Sequence, residues 1–257
     1  MKTFLTSFFL LPWLLFANSS MDALIQEASA SYRAAEEAST FQERKNGFNR
    51  ALTLYQYIES QPGVASADLN QALANSYFQL GEYAWSILYN ERALQLDPYN
   101  PTIIEHLVHA QKKLGLPPSS LSPSWVDTLL LRSALSLPAR FQLFFYTALA
   151  AILLATALIW IPSSYIKKLV YLTGLLTLAL AINLMISFYF TPLYGIFISS
   201  TALYRAPSFQ ETQLTNLPFA VGSKVRVIQS EEQGFWLKVM DQNGLVGYVP
   251  ASDIRLI

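Results

Sequence analysis

The sequence predicts a multidomain membrane protein, in which an all-α domain and a small all-β barrel flank a two-helix transmembrane hairpin. Three observations predict it. Two uncharged apolar runs, 141–161 and 169–190, lie mid-chain, each long enough to cross a ~30 Å hydrocarbon core at 1.5 Å per residue. The chain before them has apolar residues at three- and four-residue spacing, the signature of helices. The chain after them alternates inward and outward residues between turn signals, the signature of short strands.

Composition narrows the function. The chain is 53% hydrophobic and only 13% charged, well below the roughly 25% charged residues of soluble domains. Formal net charge is zero, so no basic surface argues for nucleic acid as a partner. No cysteine is present, which excludes thiol catalysis, disulfides, Cys-ligated zinc and a lipoprotein anchor.

Residues 1–19 read as a signal peptide. Met1-Lys2-Thr3 is a short basic start, Phe4 to Phe16 is apolar, and Ala17-Asn18-Ser19 supplies small residues at a cleavage site. An uncleaved amino-terminal anchor is the alternative, and in either case the helical segment after it is exported. Only a short loop separates the two apolar runs, so the flanking modules share one side of the membrane. Lys167 and Lys168 in that loop favour a cytoplasmic turn. The expected location is a bacterial inner membrane, multi-pass, with both soluble modules periplasmic.

Residues 21–117 form the helical module. Ile25, Ala28, Tyr32 and Ala35 recur at helical spacing, and Phe48, Ala51, Leu52, Tyr55 and Ile58 do so after Thr40, a candidate N-cap. Gln61-Pro62-Gly63 ends that helix. Residues 67–100 then combine Leu73, Ala74, Tyr77, Gly81, Tyr83, Ala93 and Pro98 in one helical hairpin. Ala74, Ser86 and Ala93 are small where two helices approach closely, and Gly81 permits the turn. Pro98 stops the second helix and Pro101 opens the next at a position that tolerates proline. Ile104, Leu107, Val108 and Leu114 repeat the pattern before Gly115. The segment 67–100 resembles a tetratricopeptide repeat of 34 residues, with a divergent copy at about 22–60 and half a copy downstream.

The resemblance implies a groove that presents residues to a protein partner. By repeat position its concave face holds Asp68, Gln71, Asn75, Phe78 and Gln79, then Thr102, Glu105, His109 and Lys112. Asn75 stands where peptide-binding repeats carry an asparagine that holds a ligand backbone. The lysines that clamp a free carboxy terminus in such repeats are missing. The module carries 11 acids and 7 bases between Met21 and Pro117, a mildly acidic surface. His106 and His109 share a helix face, but the chain has no third histidine, so no metal site is expected.

Residues 118–140 are a Pro/Ser linker and a short amphipathic segment, Ser124 to Leu137, whose Trp125 suits either the membrane interface or a cap on the repeats. The apolar runs hold Thr156, Thr173, Thr177 and Asn183 but no ionisable residue, so they read as an anchor without an ion path.

Residues 195–257 resemble a bacterial SH3-type domain through Leu217-Pro218…Gly222-Ser-Lys-Val225, Gly234-Phe-Trp-Leu-Lys-Val239 and Gly247-Tyr-Val-Pro-Ala-Ser-Asp253. The fold class is thus an all-α tetratricopeptide-repeat domain, a two-helix hairpin and a small all-β SH3-like barrel. Phe235, Tyr248 and Pro250 fall on the candidate SH3-like surface. Asp253 replaces the groove tyrosine of proline-binding members, and Trp236 is expected in the core.

The order of parts resembles BatE-like proteins of the bacterial aerotolerance (Bat) group. The resemblance implies an inner-membrane scaffold beside von Willebrand A-domain Bat proteins and a MoxR-type ATPase. A second reading is a cell-envelope sensor whose SH3-like domain binds peptidoglycan. No phosphate loop, nucleophile–base pair or paired-carboxylate cleft is recognisable, so neither an enzyme nor a cofactor is expected.

Overall fold

A computed structural model describes residues 11–117, 135–189, 193–214, 218–241 and 244–257. Five helices come first: α1 Leu11–Glu37, α2 Phe41–Glu59, α3 Ala67–Gln79, α4 Tyr83–Leu96 and α5 Pro101–Lys113. α1 runs unbroken through Ala17-Asn18-Ser19, so the later half of the expected export segment is continuous with the first helix of the module.

Local chemistry sets the boundaries. The Thr40 hydroxyl accepts from the Glu43 amide at 3.2 Å, capping α2 as its sequence predicts. The Ser66 hydroxyl caps α3 by accepting from Leu69 N–H at 3.0 Å. Gly81 sits at φ 82° in the turn to α4, a conformation costing other L-residues about 1–2 kcal/mol. Asn100 caps α5 and Pro101 occupies its first turn.

Consecutive helices pack as antiparallel hairpins, and α4 lies at the centre. Ala84, Ser86, Ile87, Leu88, Tyr89, Asn90, Glu91 and Ala93 are all buried, so α4 has no solvent face of ordinary width. Ala74 and Ala93 are fully buried, as expected of small residues where helices approach closely. Tyr77 stacks between Trp85 and Tyr89, at 5.5 and 5.4 Å between ring centroids. Tyr89 Oη donates to Glu59 Oε2 at 2.8 Å, tying α4 to α2.

Two expected faces are met in part. On α1 the expected Ala28 and Ala35 are buried and Tyr32 is half-buried, but Ile25 is 43% exposed. In α5 the buried stripe is Ile103, Leu107, Ala110 and Gln111, with Ile104 and Val108 half-buried. Leu107 is inward as the sequence pattern suggests, whereas Ile103 and Ala110 rather than Ile104 and Val108 are innermost on this helix, which packs on α4.

α6 Leu137–Trp160 and α7 Ser164–Tyr189 are long and apolar enough to cross a membrane, and almost nothing along them is buried in protein. Both begin earlier than the expected spans, and in α6 Pro138 fits the first turn. Lys167 and Lys168 are not in the connecting loop; they lie in the first turns of α7, since only Ile161 to Ser163 separate the helices. The two helices pack on each other, and Arg140 Nη1 donates to Ser187 Oγ at 2.7 Å near their open ends. The amphipathic segment Ser124 to Leu137 lies largely outside the described residues.

Five strands follow: β1 Leu193–Phe197, β2 Lys224–Glu231, β3 Trp236–Met240, β4 Val246–Pro250 and β5 Ile254–Leu256. They form one antiparallel sheet in the order β4-β3-β2-β1-β5. The expected closed barrel is not formed among the described residues: β4 and β5 are the two edges, and no ladder joins them. The stretch after Phe197 is likewise not continuous strand, pairing only through isolated bridges at Thr201 and Tyr204. Phe197, Leu203, Val225, Val227, Leu237, Val239, Val249 and Ile254 form the core of this module.

Helices and sheet dock on one another. Ile196 of β1 joins Ile87, Leu88, Leu107 and Ala110 in a single apolar cluster, flanked by Leu114, Leu116 and Ile257. Gly222, at φ 86°, lets the backbone before β2 approach closely, since a Cβ there would lie 2.6 Å from Leu114 Cδ1. Lys224 Nζ meets the buried Glu91 carboxylate at 2.7 Å, and Arg92 Nη2 donates to the Leu256 carbonyl at 3.0 Å. Arg255 lies over the Trp85 ring at 5.7 Å.

Candidate functional site

The helical module opens into a cleft of about 320 Å³ between α1, α3, α4 and α5. Tyr32 and Glu36 come from α1, Asn75, Phe78 and Gln79 from α3, Ser86 from α4, and His106 and His109 from α5. Residues 75, 78 and 79 occupy one stripe of α3, and 106 and 109 one stripe of α5, by the i, i+3, i+4 rule. Short α3 and α5, each 13 residues, bring those stripes opposite the last turns of α1.

Of the residues expected in a groove, Asn75, Phe78, Gln79 and His109 line this cleft. Asp68 and Gln71 lie one to two turns earlier on the same stripe of α3, and Thr102, Glu105 and Lys112 flank the α5 pair, outside the lining. Tyr32, Glu36, Ser86 and His106 join the lining without being expected there. In the sequence Tyr32 reads only as a helix-face residue, and His106 only as half of a histidine pair too small for a metal. Tyr32 packs edge-on against Phe48 at 5.1 Å, so the core holds one side of its ring.

The titratable groups are perturbed by burial. Desolvation is the main cause that raises the Tyr32 phenol above its ordinary value, opposed by a hydrogen bond with Gln79. Desolvation likewise lowers His106 below the usual histidine value, with Glu105 opposing and His109 adding to the shift. His106 is therefore neutral at pH 7. Among the described residues no group of three metal-ligating side chains converges.

A second, more open cavity of about 580 Å³ lies on the sheet module. Phe209, Phe235, Trp236 and Pro250 line it with Glu232, Gly234, Ala251 and Ser252. Trp236 is buried, as expected, yet it forms the wall of the cavity: Phe209 packs on it at 4.8 Å and Tyr204 edge-on at 5.6 Å. Phe209 and Phe235 are 70% and 73% exposed, so two aromatic rims stand over a buried floor. Phe235 and Pro250 thus meet in one place, whereas Tyr248 is half-buried outside the lining, beneath Lys238 Nζ at 5.7 Å.

Neither cavity offers a nucleophile hydrogen-bonded to a base among its described lining residues. Both combine aromatic surface with a few polar groups, the make-up of recognition sites. Comparison of the chain with protein-family models, curated proteins and solved structures finds no match.

Proposed function

We propose that this protein is an inner-membrane-anchored periplasmic scaffold that holds a protein partner in the cleft of its helical module. The observation that carries the reading is the convergence of Asn75, Phe78, Gln79 and His109 on one cleft. An asparagine amide pairs with an extended backbone, and an adjoining aromatic ring anchors an apolar side chain. Close-packed hairpins with Gly81 and the buried Ala74 and Ala93 support the tetratricopeptide-repeat reading. For the tail, strand order β4-β3-β2-β1-β5, a long β1–β2 connection and a short helical turn at Ala251–Asp253 support an SH3-type domain.

The docked interface supports the topology. A spanning hairpin permits contact between chain segments before and after it only when both emerge on the same side. The Glu91–Lys224 pair and the apolar cluster around Ile196 need that arrangement. The order of parts is that of a BatE-like Bat protein, working beside von Willebrand A-domain partners and a MoxR-type ATPase without catalysis of its own.

The direct test is chemical crosslinking in intact membranes. The double change Asn75→Ala with Phe78→Ala abolishes crosslinks to periplasmic partners while helical content and membrane insertion stay unchanged. Crosslinks that persist in the double variant would move the partner site elsewhere. The exposed Phe209 and Phe235 favour one second reading, a cell-envelope sensor whose tail binds peptidoglycan by stacking sugar faces on aromatic rings. Retention of the wild-type protein on purified sacculi, lost with Phe209→Ala and Phe235→Ala, would support that reading instead.

A further inference from the structure

The chemistry of the helical cleft narrows the partner segment further, on the reading that this cleft is the partner site. Glu36 is the sole fixed charge in its described lining, which holds no lysine or arginine. Two buried polar atoms in or next to the lining have no hydrogen-bond partner: His106 Nδ1 and Asn90 Oδ1. Asn90 is 0% exposed, and its amide nitrogen donates to the Ser86 carbonyl at 3.0 Å and lies 3.4 Å from Ser86 Oγ. Its donor group is thus committed to Ser86, one of the lining residues, from a position behind the lining. Of the two unpaired atoms, only His106 Nδ1 belongs to a lining residue; a neutral imidazole with its proton on Nε2 leaves Nδ1 an acceptor, which a donor-bearing ligand satisfies.

Lysine and arginine side chains are donors only, and arginine carries five N–H groups on a rigid fork. Tyr32 and Phe78 offer ring faces to the aliphatic stem of such a side chain. A carboxylate in the same place faces Glu36, so acidic segments are disfavoured. We infer that the cleft receives an extended peptide segment bearing lysine or arginine, with Glu36 pairing the cation and Asn75 the peptide backbone.

The test uses the full-length protein in phosphatidylcholine nanodiscs and a displayed library of random dodecapeptides. Selection on the wild type enriches lysine and arginine, and a synthetic peptide made from the enriched sequences binds it more weakly as salt rises. Glu36 is exposed, so Glu36→Lys keeps the fold by circular dichroism yet weakens that peptide by roughly tenfold or more. Enrichment of aspartate and glutamate, no enrichment, or an enriched basic peptide insensitive to Glu36→Lys overturns the charge assignment. If that peptide is still lost with Phe78→Ala, the cleft remains the partner site. Indifference to both substitutions places binding elsewhere and overturns both readings.

Discussion

Glu91 of α4 and Lys224 of β2 meet at 2.7 Å, although 133 residues and both long apolar helices separate them in the chain. Glu91 is nearly fully buried and Lys224 about one-third exposed. Lys224 also lies 4.8 Å over the Tyr194 ring. A charge placed on α4 is therefore neutralised only when the sheet is docked. Glu91→Ala leaves Lys224 without its partner at a half-covered interface and destabilises the docked state by about 2 kcal/mol. The exchange Glu91→Lys with Lys224→Glu recovers part of the loss. Limited proteolysis and thermal melting of the full chain in detergent read both effects; equal stability of wild type and Glu91→Ala would contradict the dock.

On the proposed topology, the hairpin puts both modules on one side of the membrane. Reporter fusions after Leu116, Ser164 and Ile257 read outside, inside and outside in turn. Unlike readings after Leu116 and Ile257 break the one-sided arrangement that the Glu91–Lys224 contact requires, whereas inside, outside, inside keeps that arrangement and overturns the periplasmic placement.

Ala93 is fully buried on α4, the helix that α3, α5 and β1 all contact. Ala93→Phe overpacks that site and costs about 1–3 kcal/mol. The full chain is the right sample, because removing the sheet would uncover Ile87, Leu88 and Leu107. An unchanged melting temperature would mean that α4 is not held as described.

His106 gives the cleft a pH dependence. Its folded value lies below the unfolded one, chiefly through burial. The unfolded chain therefore binds the proton first, and stability falls as pH drops from about 6.5 through the lowered folded value. Above that window the histidine is neutral in both states and contributes no slope. His106→Gln flattens the fall in melting temperature between pH 7 and pH 5; an identical slope in the variant would show that His106 is not desolvated.

Much of the helical module was legible because its signals are local. Thr40, Gly81 and Pro101 act within one turn of where they stand, and the apolar spacing of α2, α3 and α4 needs no distant partner. The two long apolar helices were equally plain. What failed to read was set by contacts distant in sequence. In α5, Ile103 and not Ile104 is innermost, and Leu107 and Ala110 share a cluster with Ile196 of the distant β1. Gly222 and Ile196 look like turn and strand residues, and nothing near them announces a helical partner. The cleft was half visible: Asn75, Phe78, Gln79 and His109 follow from repeat position, whereas Tyr32 and Glu36 enter only because α1 crosses the end of α3. The sheet read as strands, but whether they close into a barrel depends on an edge pairing that alternation does not encode.

Site-specific photocrosslinking tests the central claim most directly. A photoreactive residue at position 78, inside the cleft, is compared in living cells with one at Tyr57, which is 55% exposed outside the cleft lining. The account predicts a discrete crosslinked protein from position 78 that disappears with Asn75→Ala and is absent from position 57. Equal products from the two positions, or none from position 78 in fully inserted protein, would contradict it.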